Sequence, residues 1–112
     1  MSDEIKKLVL AYHRLDPTEV ESLLAPDFVA RGLKGFSWRR ADHVNFTNAF
    51  KGHDEIQEIV VDGNNVAVRF QRTGTFGSYK LKNHEYAHFM KIENGKIIEM
   101  YELWDEFPKP SE

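Results

Sequence analysis

The spacing of polar and apolar positions changes about half-way along the chain. Over Asp3 to Leu15, Ile5, Leu8, Val9 and Tyr12 recur at the spacing of one helical face. Leu15-Asp16-Pro17 breaks that pattern and starts the next helix. Asp16 serves as its cap, Pro17 suits its first turn, and Glu19 completes a capping-box spacing. This short helix carries Val20, Leu23 and Leu24 and stops at Pro26. Phe28-Val29-Ala30 reads as a brief strand before Gly32 and Gly35, and helical character returns from Trp38 to Phe50, with Gly52 ending it.

Beyond Gly52 the period is two. Glu55 to Asp62 is a strand, and Asp62-Gly63-Asn64-Asn65 is a turn of residues that tolerate positive φ. Val66 to Thr73 alternates strictly, and Gly74 to Gly77 bends or bulges the sheet. His84 to Glu93 and Lys96 to Trp104 form a final hairpin around Asn94-Gly95, and the tail from Pro108 to Glu112 reads as loose. Helices first and strands last predict an α+β fold: a cone-shaped roll with three N-terminal helices packed on a strongly curved antiparallel sheet. The open end of such a cone is a natural pocket.

Composition narrows the function classes. The 112 residues suffice for one domain with a real core. Eight Phe and two Trp supply rings for that core or for an apolar cavity. The formal charge of −3 is interspersed, and Arg39-Arg40 is the one adjacent arginine pair, so there is no basic stripe for nucleic acid. The absence of cysteine removes disulfides, thiol nucleophiles and thiolate metal sites together. His13, His53 and His84 show no metal-ligand spacing, so neither metal nor cofactor is expected. The acidic start and the lack of a long apolar run predict neither a signal peptide nor a membrane span, with a cytoplasmic address as the default.

Four segments carry a family likeness. They are Leu23-Leu-Ala-Pro-Asp-Phe-Val29, Val61-Asp-Gly-Asn-Asn-Val-Ala-Val-Arg69, Gly74-Thr75, and His88 through Gly95-Lys96-Ile97 and Glu99 to Asp105. In this order they resemble the SnoaL-like polyketide cyclase branch of the nuclear transport factor 2-like superfamily, across nearly the whole chain. The resemblance is specific for fold and much less so for activity. It implies cyclases, ketosteroid isomerases, epoxide hydrolases and dehydratases, and equally non-catalytic binding or dimerisation domains. Likeness to the cyclases implies an acid/base carboxylate at Asp105, paired with a histidine from the neighbouring strand, for which His88 is the nearest candidate. Likeness to ketosteroid isomerase puts its two essential carboxylates at Ala87 and about Gly32, where this chain has none, and makes Met100 and Trp104 line the pocket. An epoxide hydrolase needs an Asp-Arg-Asp cluster, of which Arg69 and Asp105 supply two members.

Several candidates carry two readings. Asp105 is either a solvated strand-end carboxylate or the acid that abstracts a proton beside a carbonyl. In a regular strand Met100, Glu102 and Trp104 share a face and Asp105 points away, so Glu102 is the better-aimed acid by alternation. Asp105 enters the pocket only if the strand ends or bulges at Trp104, and Phe107-Pro108 would favour such an ending. His88 alternates with Tyr86 and Met90, which favours the outer face of the sheet and a homodimer contact there, with Phe89 and Ala87 inward. Tyr12 is either core packing or a hydroxyl aimed into the cavity, and His43 a surface or pocket-wall residue. Arg69 is an outer charge or a buried partner for an acid. Trp38, Phe46, Phe50, Phe76, Phe89, Met100 and Trp104 are mainly core, with a subset lining the cavity. The resulting expectations are a cofactor-free cyclase or isomerase acting on a small apolar carbonyl compound, or a non-catalytic binding module.

Overall fold

The computed structural model describes residues 2–105; the tail and Phe107-Pro108 lie outside them. The chain runs α1 (Ser2–Tyr12), α2 (Pro17–Leu23), β1 (Leu24–Gly32), a 3-10 turn (Leu33–Gly35), β2 (Ser37–Arg39), α3 (Arg40–Ala49), β3 (Lys51–Asp62), β4 (Asn65–Phe76), β5 (Tyr79–Glu93) and β6 (Lys96–Trp104). Three helices against one curved sheet make the α+β architecture that the change of period predicts. None of the described helices is long and apolar enough to cross a membrane.

Local chemistry accounts for the helix boundaries. The Asp16 carboxylate accepts the Glu19 N–H at 3.0 Å and caps α2, with Pro17 in the first turn. The Glu19 carboxylate does not reach back to complete a capping box; it takes two bonds from Arg14 instead. At α3 the Asp42 carboxylate accepts the Arg39 N–H at 2.8 Å. That helix therefore begins at Arg40, and Trp38, expected inside it, lies on β2 opposite Ala30.

The sheet order is β2-β1-β6-β5-β4-β3. It is mixed rather than antiparallel, because β1 leaves the helical layer and pairs in parallel with β6. Register shifts at Ile56/Glu58, Arg72/Gly74 and Lys91/Ile92 curl the three long strands around the helices. Gly52 on β3 pairs with Gly74 on β4, and the two backbones pass close to each other there. A side-chain carbon at Gly52 would stand 2.1 Å from the Thr73 carbonyl, so this bend requires glycine. Asn94 (φ 50) and Gly95 (φ 72) supply the two left-handed residues of the closing turn.

The alternation of β5 is the reverse of the expected one. His84, Tyr86, His88, Met90 and Ile92 are buried and face the helices, while Phe89 is half exposed on the outer face. Register explains it. His88 lies opposite Val68 on one side and Glu102 on the other, and Phe89 opposite Ala67 and Tyr101. A shift of one residue exchanges every side chain between the two faces. Tyr86, His88 and Met90 thus belong to the interior and cannot form an outer contact. Met100, expected on the cavity wall, is buried in the main core with Met90 and Ile97.

Candidate functional site

At the open end of the sheet, Tyr12, Leu33, Phe36, Trp38, His43, Phe46, Arg72, Phe76, Tyr86, Glu102 and Trp104 enclose a cavity of about 350 Å³. One wall is a run of touching rings: Trp104 to Phe36 at 5.1 Å, Phe36 to Trp38 at 5.8 Å, Trp38 to Phe46 at 6.4 Å and Phe46 to Phe76 at 5.1 Å. Phe36 can lie there because Gly32 has no side chain; a Cβ at Gly32 would be 2.1 Å from the Phe36 ring. The position that likeness to ketosteroid isomerase would give to a general base is therefore occupied by an aromatic wall.

The opposite wall is polar and centres on Glu102. Its side chain is 13 % exposed, and Oε1 lies 3.3 Å from Nε2 of His43 and 3.8 Å from Nε2 of His88. The Tyr12 hydroxyl and Nδ1 of His43 are hydrogen-bonded at 3.1 Å; with the ring hydrogen on Nε2, facing the carboxylate, the hydroxyl is the donor. Neither histidine makes an aligned hydrogen bond through Nε2, and His88 makes none at either ring nitrogen. A buried, unpaired imidazole costs about 1–3 kcal/mol per unsatisfied group, an expense seldom kept for packing alone.

Burial sets the charge states. It pushes the Glu102 carboxyl up to about 7, with the Arg72 charge opposing and that of Asp54 assisting. It brings His43 down to about 4, with Arg72 adding to the fall. His88 falls well below the usual imidazole range through burial, helped by His13, Arg72 and His43. The Tyr12 phenol is held far above its usual value, again mainly by burial, and keeps its proton. At neutral pH the site thus has one carboxylate present in both protonation states, two neutral imidazoles and one neutral phenol. A group that titrates near the working pH is what proton transfer requires.

Behind this wall lies a buried ionic cluster. Arg72 Nε and Nη2 donate to Asp54 at 2.7 and 2.9 Å, and His13 Nδ1 meets the same carboxylate at 2.8 Å. Burial works against the charge of Asp54, but the Arg72 and His13 bonds hold its pKa below the usual range. The Arg72 guanidinium lies over the rings of Tyr86 (4.7 Å), Phe46 (5.0 Å), Phe70 (5.2 Å) and Phe50 (5.4 Å). Among the described residues, no three His, Asp or Glu side chains are arranged to hold a metal ion.

The remaining candidates lie as follows. Tyr12, Trp38, His43, Phe46, Glu102 and Trp104 line the cavity, and His88 stands behind Glu102. Phe50 is one ring further back, stacked on Phe46 and packed with Leu15 and Leu81. Phe89 is outside the cavity altogether. So is Asp105. The strand does end at Trp104, but the Asp105 N–H still bonds to the Glu85 carbonyl, and its own carbonyl accepts from His84 Nε2. That pairing holds its exposed side chain on the outer surface, in a shallow groove with Arg69, Glu85 and Leu103. Arg69 is likewise an outer charge, 3.7 Å from Glu58. Sequence reasoning missed Asp54 and Arg72 as a pair. The strict alternation Val66, Val68, Phe70, Arg72 was the available signal for the arginine.

Residues 5–100 match the model of the SnoaL-like domain family. Solved structures that share the fold include the following three. An LEH-like epoxide hydrolase from M. tuberculosis is 16 % identical, with a TM-score of 0.77 over 92 % of this chain and 84 % of that one. An NTF2-like protein of unknown function from Cytophaga hutchinsonii is 15 % identical, with a TM-score of 0.72 over 93 % and 88 %. A loop-truncation variant of IdmH is 25 % identical, with a TM-score of 0.70 over 93 % and 91 %. No curated protein matches the chain.

Proposed function

The chain belongs to the SnoaL-like domain family, and from that premise we propose that it is a cofactor-free acid/base enzyme of the cyclase or isomerase kind. Its substrate is a small, largely apolar carbonyl compound, and Glu102 is the group that moves the proton. The observation that carries this reading is the inward Glu102 carboxyl, lifted to about 7 by burial, with two neutral imidazoles on one of its oxygens. Both histidine contacts fall on Oε1, so Oε2 is the oxygen available to a substrate. In the base form Glu102 takes a proton from the carbon beside the carbonyl; in the acid form it returns one elsewhere on the skeleton. Tyr12 and His43 orient the carboxylate, and the ring wall holds the apolar part of the ligand.

The test is exchange of α-protons for deuterium in a panel of cyclic and aryl ketones, followed by proton NMR. The protein accelerates exchange, Glu102→Gln lowers the rate roughly 10²- to 10⁴-fold, and Asp105→Asn leaves it unchanged. Equal rates in the wild type and Glu102→Gln would refute the assignment. A second reading is a binding module without chemistry, favoured by the missing carboxylates at Gly32 and Ala87. It predicts ligands that raise the melting temperature yet never exchange.

We also propose a homodimer through the outer face of the sheet. Tyr101, Phe89, Ala67 and Val60 lie side by side across four strands, and the first two and Val60 are 44 %, 51 % and 54 % exposed. A row of large apolar side chains on an open sheet face is a surface that a second copy can cover.

A further inference from the structure

Proton abstraction beside a carbonyl sends an electron pair to oxygen, and one side chain in the cavity is suited to meet it. We propose that Arg72, with the Tyr86 hydroxyl beside it, forms an oxyanion site that takes the enolate or phenolate oxygen of an apolar ring. The proposal builds on the assignment of Glu102 as the proton-moving group and concerns the other half of the same step. The C–H bond breaks as Glu102 Oε2 gains the proton. Its electron pair becomes the new carbon–carbon π bond, and the carbonyl π pair moves onto oxygen. Negative charge leaves Glu102 as it arises at the oxygen, so the cavity as a whole neither gains nor loses charge.

Arg72 is 5 % exposed, yet it is the only cationic side chain lining the cavity among the described residues. A guanidinium carries five N–H groups; Asp54 takes two of them, and a further one is shared with the Tyr86 hydroxyl. Four rings at 4.7–5.4 Å fix its plane. A donor fixed in a dry site before the reaction needs no rearrangement when charge develops, the condition under which such groups stabilise it most.

The neighbouring charges do not cancel this field at the reacting position. Asp54 balances Arg72 formally, but at Glu102 the pull of Arg72 exceeds the push of Asp54. Arg72 also depresses His43 and His88 from across the site. His13, bonded to the same Asp54 carboxylate, is lowered by burial, while its bond to Asp54 works against that fall. Burial raises Tyr86 to about 12, so it retains a hydrogen to donate. The Tyr12 hydroxyl is already hydrogen-bonded to His43.

The probe is para-nitrophenol, whose phenolate is read by its visible absorbance. It is titrated while bound to Glu102→Gln, in which the acid is replaced by a neutral mimic of its protonated form. The expected result is a bound phenol that ionises at least about one pKa unit lower than in water, a tenfold preference for the anion. Adding Arg72→Met with Asp54→Leu abolishes that preference while the neutral phenol still binds, and a thermal melt reports whether this variant is folded. An unshifted or raised pKa in Glu102→Gln, or no binding, overturns the proposal without needing the triple variant. Glu102-dependent α-proton exchange would then still stand, so the two failures are separable.

Discussion

Replacing Glu102 by glutamine should stabilise the protein, and by an amount that depends on pH in a defined way. In the fold this carboxyl titrates at about 7, against 4.5 for an ordinary glutamate. Between those values the folded state holds a proton that the unfolded chain has lost, so stability falls as pH rises. The gap of about 2.5 units corresponds to about 3 kcal/mol at 1.36 kcal/mol per unit. Glutamine has nearly the same shape and no charge to bury. The variant and the wild type should therefore be equally stable near pH 4, apart from a constant offset. Their difference should grow from pH 4.5 and level off above pH 7 with the variant about 3 kcal/mol more stable. His13, His43 and His88 act in the opposite sense, because their lowered pKa values remove stability as pH falls below the usual imidazole range. They are present in both proteins and drop out of the difference. Urea denaturation of both proteins from pH 4 to 8.5 measures it. A difference that stays flat through this range would mean that Glu102 is not a buried carboxyl, and the reasoning would fail.

Other predictions follow from the buried charges and the outer face. Arg72→Met or Asp54→Leu alone leaves one charge stranded and should cost about 3–5 kcal/mol, whereas the two together should cost far less; a double-mutant cycle by denaturation checks this. Tyr12→Phe removes the hydrogen-bond partner of His43 Nδ1 and should lower stability by about 1 kcal/mol while slowing α-proton exchange through a less well-held carboxylate. Phe89→Lys with Tyr101→Glu should leave the melting temperature within a few degrees of wild type and convert a dimer to a monomer by light scattering; a wild type that is already monomeric at micromolar concentration would contradict the proposed contact.

Elements were legible in this sequence wherever one period ran long enough. The helical face through Tyr12, the Asp16 cap and the Asn94-Gly95 turn are local signals, and each produced its element. The parallel pairing of β1 with β6 was not local: it joins Val29 to Glu99, and nothing in either segment announces it. The inverted β5 is more instructive. Glu85, Lys91 and Glu93 share a face with Phe89, and that charge pattern marks the outer side more reliably than any single aromatic residue. For the site, alternation favoured Glu102 over Asp105, and the likeness to the cyclases favoured the reverse. Alternation prevailed, because Asp105 continues the pairing with Glu85 after the strand has ended. Asp54 and His13 could not be found in this way. Their contact spans 41 residues and exists only once α1 packs across β3.

The most direct measurement is the titration of the Glu102 carboxyl itself, followed by its side-chain carbon shift in ¹³C-labelled protein, with Glu102→Gln identifying the signal. The account predicts a midpoint near 7. A midpoint near the ordinary 4.5 would leave the cavity without a proton-transfer group at neutral pH and would contradict the proposed chemistry.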